Sequence, residues 1–280
     1  ADRDAFTAGG AANVAHNLRA LGAAVDLVGT IGIDEAGANL KSVFEKTGVC
    51  FDPALADKSR STILKMRVMC RNQQLCRIDR EETPSKYALP QSWINETLPS
   101  LIEHADAVIV SDYAKGIVTP DLIKHIQRLA GPDKLVSLDP KPRNGLAFRE
   151  LSLITPNRIE ALQLAGMQSI SPSDPFPAEE ACRILHNLYA TRLLVITLGA
   201  DGMLLSRDGK PLCQIPTAAR DVFDVSGAGD TVNALLSAAL AAGSTPEKAA
   251  QLANQAAGVV VGKLGTATAT PEEILAHASL

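Results

Sequence analysis

The chain has 280 residues, of which 46% are hydrophobic and 21% are charged, and its formal net charge at pH 7 is −4. This length is enough for one large α/β domain or for two smaller domains. The acidic balance argues against a general nucleic-acid-binding protein, which needs a basic surface. The sequence has no apolar run near the roughly 20 residues of a membrane-spanning helix, and residues 1–4 do not resemble a signal peptide. Five scattered cysteines, an odd number, favour a reducing cytoplasm over a disulfide framework.

The first 48 residues are typical of the beginning of an α/β domain. Apolar side chains at helical spacing predict one helix over residues 10–21 and a second over residues 36–47. Residues 25–28, between the two helices, favour a strand. The order helix, strand, helix therefore starts the domain.

Two adjacent glycines, Gly9 and Gly10, stand at the start of the first predicted helix, followed by Asn13. Glycine allows a ligand to approach the backbone closely, and the amide of Asn13 can both donate and accept hydrogen bonds. The pattern fits a site for a polar ligand. It also fits a simple glycine turn with an exposed asparagine.

Residues 49–82 change character and predict a small β lid. Seven basic side chains lie between residues 58 and 80, against one acid, Asp79. Residues 63–70 and 74–80 alternate like two strands joined by a three-residue loop. The implied register pairs Met66 with Ile78, Val68 with Cys76, Lys65 with Asp79, and Arg67 with Arg77.

The two faces of this hairpin suggest two different uses. Two like charges across a strand pair, Arg67 and Arg77, repel each other unless an anion lies between them, and a sugar phosphate would supply that anion. The alternative is a solvated basic face. A nucleic-acid site is disfavoured because the segment has no aromatic side chain for base stacking. A hairpin of this size cannot bury its apolar face alone, so we expect it to cover the sugar pocket and to pair with a second copy in a homodimer.

From residue 83 to residue 280 the chain alternates strands and helices, which is the pattern of a parallel sheet. Predicted strands cover 105–111, 135–138, 151–154, 192–197 and 203–206, and predicted helices begin near residues 120, 157, 177, 231 and 271. A polar or glycine-containing turn follows each of the first four strands. Because ligands in open parallel sheets bind at the carboxyl ends of the strands, these turns should form one crevice.

The segment Asp-Val-Ser-Gly-Ala-Gly-Asp-Thr at residues 224–231 is the most informative in the chain. It follows a strand-like stretch at 212–225 and precedes an apolar helical run over 231–242. A helix that begins at such a turn offers unpaired N–H groups and about half a positive charge to an anion. The segment therefore favours a phosphate site, with a plain helix cap as the alternative.

The residues of this turn have complementary chemistry for phosphoryl transfer. The backbone N–H groups of Gly227, Ala228 and Gly229 could stabilise a negative oxygen in transit. Asp230, in the first helical turn, would lie beside the transferring group and could accept a proton as a general base.

A second helix start pairs Asn157 with Glu160 three residues later, on one face of the helix. An acid there also serves as a helix cap.

Five segments, in this order, resemble the ribokinase-like (PfkB-type) carbohydrate kinases along nearly the whole chain: GGAAN at 9–13, the basic hairpin, TPNRIE at 155–160, TLGADG at 197–202 and DVSGAGDT at 224–231. The resemblance implies a mostly parallel sheet flanked by helices, a small β-hairpin lid, and an ATP-dependent sugar kinase. Family members normally begin with a strand and part of the lid ahead of the paired glycines. We therefore expect that the N-terminal strand is missing here.

The resemblance also implies roles for individual residues. Gly9, Gly10 and Asn13 would contact sugar hydroxyls, and Asp230 would be the general base. Glu160 would contact the nucleotide phosphates through Mg²⁺ and its waters. The residues implied at the ATP site are Asn157, Arg158, Ile159, Glu160, Thr197, Gly199, Gly202, Asn254 and Gly265.

Within the family, residues 62–67 (TILKMR), 71–74 (RNQQ) and 111–116 (SDYAKG) resemble the heptose 7-phosphate kinases. This implies phosphorylation of the anomeric C1 hydroxyl of D-glycero-D-manno-heptose 7-phosphate, in ADP-heptose and lipopolysaccharide-core synthesis. The implied sugar-phosphate contacts are Lys65, Arg67, Asp112 and Lys115, with Arg71 and Arg77 as further candidates. The alternatives are a same-fold kinase for a hexose phosphate, ribose or fructose, and an inactive sugar- or nucleotide-binding fragment.

Overall fold

A computed structural model describes residues 5–70, 73–143, 147–168, 171 and 174–279 of the chain. Its centre is a six-stranded sheet with helices on both faces. Ten α-helices lie in the described residues: α1 Ala11–Ala20, α2 Glu35–Thr47, α3 Gln91–Glu96, α4 Leu98–His104, α5 Pro120–Ala130, α6 Arg158–Leu164, α7 Ala178–Tyr189, α8 Ala228–Ala241, α9 Pro246–Val261 and α10 Pro271–Ala278.

The same residues form twelve strands and three short 3₁₀ turns. The strands are β1 Asp26–Leu27, β2 Ile31–Gly32, β3 Cys50–Phe51, β4 Ala56–Asp57, β5 Leu64–Cys70, β6 Gln73–Arg80, β7 Ala107–Ser111, β8 Leu135–Asp139, β9 Leu153–Ile154, β10 Leu193–Thr197, β11 Met203–Arg207 and β12 Lys210–Ile215. The 3₁₀ turns are Pro53–Leu55, Pro84–Tyr87 and Gly199–Asp201.

The central sheet has the strand order β12-β11-β10-β9-β8-β7. β7, β8, β9 and β10 are parallel, and β11 and β12 continue the sheet antiparallel. The expected mostly parallel α/β sheet is therefore confirmed, and the carboxyl ends of the four parallel strands share one edge.

Alternating side chains of the strands bury both faces of the sheet, as expected for strands between two helical layers. Leu194 and Ile196 pack with apolar residues of α4 to α7. Leu193 and Val195, the intervening residues of β10, pack with those of α8, α9 and α10. The continuous apolar sequence of β10 is thus explained by burial on both sides.

The helices begin where the sequence supplies a capping side chain. Thr119 accepts a hydrogen bond from the Leu122 N–H at the start of α5, and Asn157 and Glu160 form a reciprocal capping box at α6. α8 is different, because Gly227 stands at its N-cap in a left-handed conformation with φ 82° and has no capping side chain.

Two sequence expectations in this region are corrected. The strand-like stretch at 212–225 ends as a strand at Ile215, and residues 216–227 follow an irregular path. α8 starts at Ala228, three residues before the predicted position, because the glycine turn itself begins the helix.

Helices α3 and α4 were not predicted, since their apolar residues are too few to set a clear period.

The lid has the predicted hairpin register, with Met66 opposite Ile78 and Arg67 opposite Arg77. Its connection is shorter than the predicted three residues, because Cys70 pairs with Gln73. The register shifts at a bulge between Val68 and Met69, which allows this closer pairing. The N-terminal part of the 49–82 segment pairs elsewhere: β3 lies parallel to β1 and β4 lies parallel to β2. The base of the lid therefore includes strands from both sides of the predicted boundary at residue 48.

The five cysteines are free thiols, and the cytoplasmic location stays a prediction. In the described part of the chain, no helix combines the length and apolar character that crossing a bilayer requires.

Candidate active site

Asp230 lies in the first turn of α8 and is 9% exposed. Its Oδ2 accepts a hydrogen bond of 2.8 Å from Asn13 Nδ2, and its Oδ1 accepts one of 2.5 Å from the Tyr113 hydroxyl. Burial raises the pKa of Asp230, and the bonds from Tyr113 and Asn13 act in the opposite direction. The carboxylate is therefore more basic than a surface aspartate and is held at a fixed position.

A buried polar chain holds Asn13 in place against Asp230. Asn17, one turn further along α1, donates to the backbone oxygen of Asn13 at 2.9 Å. Thr231 in turn donates from its hydroxyl to Asn17 Oδ1 at 3.0 Å. Asn17 and Thr231 are both 0% exposed, so the start of α1 is fastened to the start of α8 through groups with no access to water.

The glycine turn ahead of α8 has two backbone N–H groups available. Within the described residues, no acceptor is found for the N–H groups of Gly227 and Gly229, whereas Ala228 N–H donates to Val225 O at 3.2 Å. The prediction that all three amides face an anion is therefore corrected for Ala228, whose N–H closes the turn. A β-carbon on Gly227 would lie 2.6 Å from Asn13 Nδ2, so only glycine allows this approach.

The carboxyl ends of the parallel strands meet beside Asp230, as predicted. Asp112 N–H donates to Asp139 O, and Asn157 forms a bridge with Thr197. Asp139, at the end of β8, has a pKa well above its ordinary value, because it is buried and lies close to the charges of Glu160 and Asp230. The crevice therefore gathers several carboxylates, and a bound cation would lower their mutual repulsion.

Glu160 is held by its own helix. One carboxylate oxygen accepts from Asn157 N–H at 3.0 Å, and the other lies 3.2 Å from Lys141 Nζ. No group of three or more His, Cys, Asp or Glu side chains in the described residues is placed to hold a metal ion. One carboxylate with nucleotide phosphates and water is enough for magnesium, so the chemistry of Glu160 fits that ion.

Five more residues expected at the ATP site lie at or just after the end of β10 and at the start of α6. Thr197 ends β10, Gly199 begins the 3₁₀ turn, and Gly202 lies between that turn and β11. Ile159 is exposed beside Glu160. Arg158 Nη1 lies 3.2 Å from an Asp201 carboxylate oxygen, and its part in ATP binding stays a prediction.

Asn254 and Gly265 are both joined to the segment around the glycine turn. Asn254 Nδ2 donates to Pro216 O at 2.7 Å, which fastens α9 to the irregular stretch after β12. Gly265 N–H donates to Asp224 Oδ2 at 3.0 Å. This pairing brings the 265 turn to the start of the glycine-turn segment, although its part in nucleotide binding stays a prediction.

The charges of the lid are arranged differently from the sequence expectation. Arg77 donates two hydrogen bonds to Asp79, at 2.8 and 2.7 Å, and Lys65 lies 3.6 Å from the same carboxylate. Asp79 therefore supplies the counter-charge that we expected from a ligand. Arg67 lies close enough to Asp224 to help lower the pKa of that carboxyl, after the larger effect of the Ser226 N–H. Arg71 lies outside the described residues.

Two more sugar-phosphate candidates have partners in the protein. Lys115 Nζ donates to Glu81 Oε1 at 2.7 Å, at the end of the lid. Asp112 is buried, with one oxygen on Arg143 and the other accepting from Ala114 N–H at 2.8 Å. Asp112 therefore shapes the turn after β7, and direct contact between these residues and a sugar stays a prediction.

Tyr113 was not singled out from the sequence, although it lies in the SDYAKG segment. Its hydroxyl contacts Asp230, and its ring lies over Gly10, where a β-carbon would be 3.2 Å from Cε2. Gly9 and Gly10 thus border the crevice on the side of Asp230. The periodicity of apolar residues along the chain contains no signal that a side chain after β7 reaches the start of α8.

Fold and site together define a class of protein. The carboxyl edge of an open parallel sheet lies next to a buried carboxylate and to free N–H groups at the start of a helix. These are the features that an α/β phosphotransferase needs.

Comparison with known proteins identifies the family. A family model described as "pfkB family carbohydrate kinase" matches residues 1–273, and the chain therefore belongs to that family. It is a phosphotransferase with an alcohol group as acceptor. The chain is 41% identical over 280 residues to the "Bifunctional protein HldE" of Trichlorobacter lovleyi, covering 99% of this chain and 56% of that protein. It is 39% identical over 280 residues to the protein of the same name from Caulobacter vibrioides, covering 99% and 57%. The chain thus spans about half the length of these curated relatives.

Solved structures show the same fold. The ribokinase of Thermotoga maritima has a TM-score of 0.79 at 23% identity, covering 99% of this chain and 89% of that one. The Arabidopsis thaliana ribokinase complexed with ribose and ATP has a TM-score of 0.74 at 20% identity, covering 96% and 86%. The ribokinase-like fold expected from the sequence is confirmed.

Proposed function

We propose that this chain transfers the γ-phosphate of ATP to the C1 hydroxyl of D-glycero-D-manno-heptose 7-phosphate, a step of ADP-heptose and lipopolysaccharide-core synthesis. The observation that carries the proposal is the buried, basic carboxylate of Asp230 beside the free N–H groups of Gly227 and Gly229. The choice of sugar is supported by the TILKMR and SDYAKG segments and by about 40% identity to the HldE proteins.

In this reaction Asp230 accepts the proton of the sugar hydroxyl while the oxygen of that hydroxyl bonds to the γ-phosphorus. The bond between that phosphorus and the oxygen bridging to the β-phosphate breaks, and ADP leaves with the electron pair. The N–H groups of Gly227 and Gly229 stabilise the charge on the transferring oxygens. The base does not need an extreme pKa, because phosphoryl transfer depends mainly on alignment and charge neutralisation.

Cations must enter the acidic crevice for this to occur. Mg²⁺ bound to the nucleotide phosphates would neutralise their charge, with Glu160 as the protein carboxylate that contacts it directly or through water. On the sugar side, Lys65, Arg67 and Lys115 are the candidates for the 7-phosphate. Lys65 and Lys115 would exchange a carboxylate partner for the phosphate, and Arg67 would approach it from the lid.

The lid also supports a homodimer. Met66, Val68, Cys76 and Ile78 form one face of the hairpin and are exposed in the single chain. A contiguous exposed apolar face on a two-stranded sheet is typical of a surface that packs against another protein element. A second copy of the hairpin would provide it.

The proposed function is tested by Asp230→Asn, which removes the base and preserves the shape of the side chain. We expect kcat to fall by roughly 10² to 10⁴-fold, because general-base catalysis typically contributes that much. The dissociation constant of ATP should change little. The measurement is coupled ADP release with heptose 7-phosphate, together with ATP binding by calorimetry.

The matched control is Asp121→Asn, which removes an acid from the first turn of a different helix, α5. Near-normal turnover by Asp230→Asn would overturn the proposed role. A panel of heptose 7-phosphate, fructose 6-phosphate, ribose and fructose decides the substrate. ATP binding by the unaltered protein without turnover on any sugar would favour a binding protein instead.

A further inference from the structure

The proposed base has a protein hydroxyl bound to it. The Tyr113 O–H lies 2.5 Å from Asp230 Oδ1, and Asn13 occupies the other oxygen. In the transfer reaction the acceptor must present an O–H group to one oxygen of this carboxylate. Asn13 is fixed by Asn17 and Thr231, so Oδ1 is the oxygen at which an exchange can occur.

Tyr113 also lies where the acceptor is expected. Its ring is in contact distance of Gly10, at the glycine pair that begins α1. The side chain is not part of the apolar core, because 38% of the residue is exposed. The hydroxyl is bonded to Asp230 and the residue borders solvent, so the ring can move away without opening a cavity in the apolar core.

Several charges favour the protonated phenol at this place. Burial and the neighbouring carboxylates of Asp230, Asp139 and Glu160 raise the pKa of Tyr113. Lys141, a positive charge near these carboxylates, acts on Asp139 and is paired with Glu160. Asp112, the preceding residue, is neutralised by Arg143. The Tyr113 hydroxyl therefore keeps its proton at neutral pH and donates it in the hydrogen bond to Asp230.

We propose that the Tyr113 hydroxyl is a placeholder for the acceptor hydroxyl, which occupies Asp230 Oδ1 until the sugar binds and then yields it. The exchange replaces one O–H···O⁻ bond by another of the same kind, so it costs little. The inference rests on the proposed function, since it takes Asp230 as the base.

The placeholder has a chemical consequence. If water reached Asp230 Oδ1 while ATP was bound, the carboxylate could take its proton and the water oxygen could bond to the γ-phosphorus. The products would be ADP and inorganic phosphate instead of a sugar phosphate. By holding that oxygen, Tyr113 suppresses this hydrolysis in the absence of sugar.

The first test is the pH dependence of Tyr113→Phe. The hydrogen bond from Tyr113 lowers the pKa of Asp230, so its loss raises that pKa in the free enzyme. The acid limb of kcat/KM for the sugar, which reports the free enzyme, should move to higher pH. The acid limb of kcat, which reports the bound complex, should stay in place because the sugar has already displaced the tyrosine. Equal movement of both limbs, or of neither, would overturn the placeholder role.

The second test is ATP hydrolysis without sugar, measured as released phosphate. We expect Tyr113→Phe, and more strongly Tyr113→Ala, to raise this rate by about tenfold or more, because proton transfer by a positioned base is worth that much. Tyr189→Phe is the control, since Tyr189 stacks on Phe148 away from the crevice. An unchanged rate in a folded Tyr113→Ala protein would contradict the inference.

The double variant Tyr113→Ala/Asp230→Asn separates the two proposals. If the extra hydrolysis vanishes with Asp230, the base and the placeholder are both supported. If Asp230→Asn alone keeps full kinase turnover, the proposed function fails first. If Asp230→Asn is inactive and Tyr113 variants show neither effect, only the placeholder is wrong.

Discussion

The two glycines that flank Ala228 have different steric surroundings. A β-carbon on Gly227 would overlap the amide of Asn13, and the residue has a positive φ. A β-carbon on Gly229 would meet no atom within 4 Å. Gly227 is therefore required by the fold of the turn. Beside Gly229 there is open space that no protein atom fills, and this is the place where we expect the transferring phosphate.

This difference gives a prediction for Gly229→Ala. The variant should fold with equal or slightly higher stability, because alanine is better than glycine within a helix by up to about 1 kcal/mol. Its KM for ATP should nevertheless rise or its kcat fall by about tenfold or more, since the methyl group would crowd the phosphate. Thermal melting and steady-state kinetics check the two parts.

Gly227→Ala is the comparison, and it should lose about 1–3 kcal/mol of stability from backbone strain together with its activity. If Gly229→Ala had normal kinetics, the phosphate would have to lie elsewhere than over the glycine turn.

At the scale of elements, α1 and α8 are joined by polar contacts and not by apolar packing alone. Asn13, Asn17 and Thr231 form this contact between the two helices, and a separate bond of 3.0 Å from the Ser237 hydroxyl to that of Ser137 joins α8 to β8. Buried hydrogen-bonded side chains of this kind fix a single arrangement of two helices, because a shift would leave polar groups unsatisfied. The position of Asp230 relative to Asn13 is thereby set by whole elements.

The lid hairpin has an exposed apolar face that includes Met66, Val68 and Ile78, which leads to a prediction for Ile78→Thr. Ile78 is 54% exposed, so the change should hardly affect folding, whereas it should weaken a hairpin-to-hairpin dimer by about tenfold or more in Kd. Sedimentation velocity over a dilution series measures this.

Leu212→Thr serves as the control, because Leu212 is similarly exposed, at 47%, on β12 of the main sheet. A dimer that is as stable with Ile78→Thr as with Leu212→Thr would place the contact between copies elsewhere.

At the scale of the whole molecule, the lid and the crevice meet at the turn after β7. A β-carbon on Gly116, which has φ 100°, would overlap the carbonyl oxygen of Pro84 just beyond the lid. The neighbouring Lys115 is paired with Glu81 of the same segment. The turn that carries Tyr113 is therefore in direct contact with the base of the lid.

Gly116→Ala tests this contact. We expect a loss of more than about 3 kcal/mol in the free energy of unfolding, or a lid displaced from the crevice with a raised KM for the sugar, because backbone overlap adds to the strain of a positive φ. Chemical denaturation and kinetics distinguish the two.

Gly243→Ala, at a positive φ of 85° with no atom within 4 Å of the added carbon, isolates the strain by itself and should cost only about 1 kcal/mol. Equal losses in the two variants would show that the contact at Pro84 has no special importance.

The sequence by itself determined the parts of this protein that depend on neighbours along the chain. The hairpin register, the alternation of strands and helices, the capping pair Asn157 and Glu160, and the place of Asp230 in the first turn of a helix all follow from local periodicity and local hydrogen bonding. The convergence of strand ends also followed, because parallel strands share one edge by construction.

Only the tertiary structure decided which groups meet across long separations. Tyr113 and Asn13 both donate to Asp230, and Asp112 is committed to Arg143. These pairings depend on side-chain direction and on the packing of distant elements, for which a single sequence contains no periodic signal. The base could thus be found from its motif, whereas the hydroxyl that occupies it could be found only once the chain had folded.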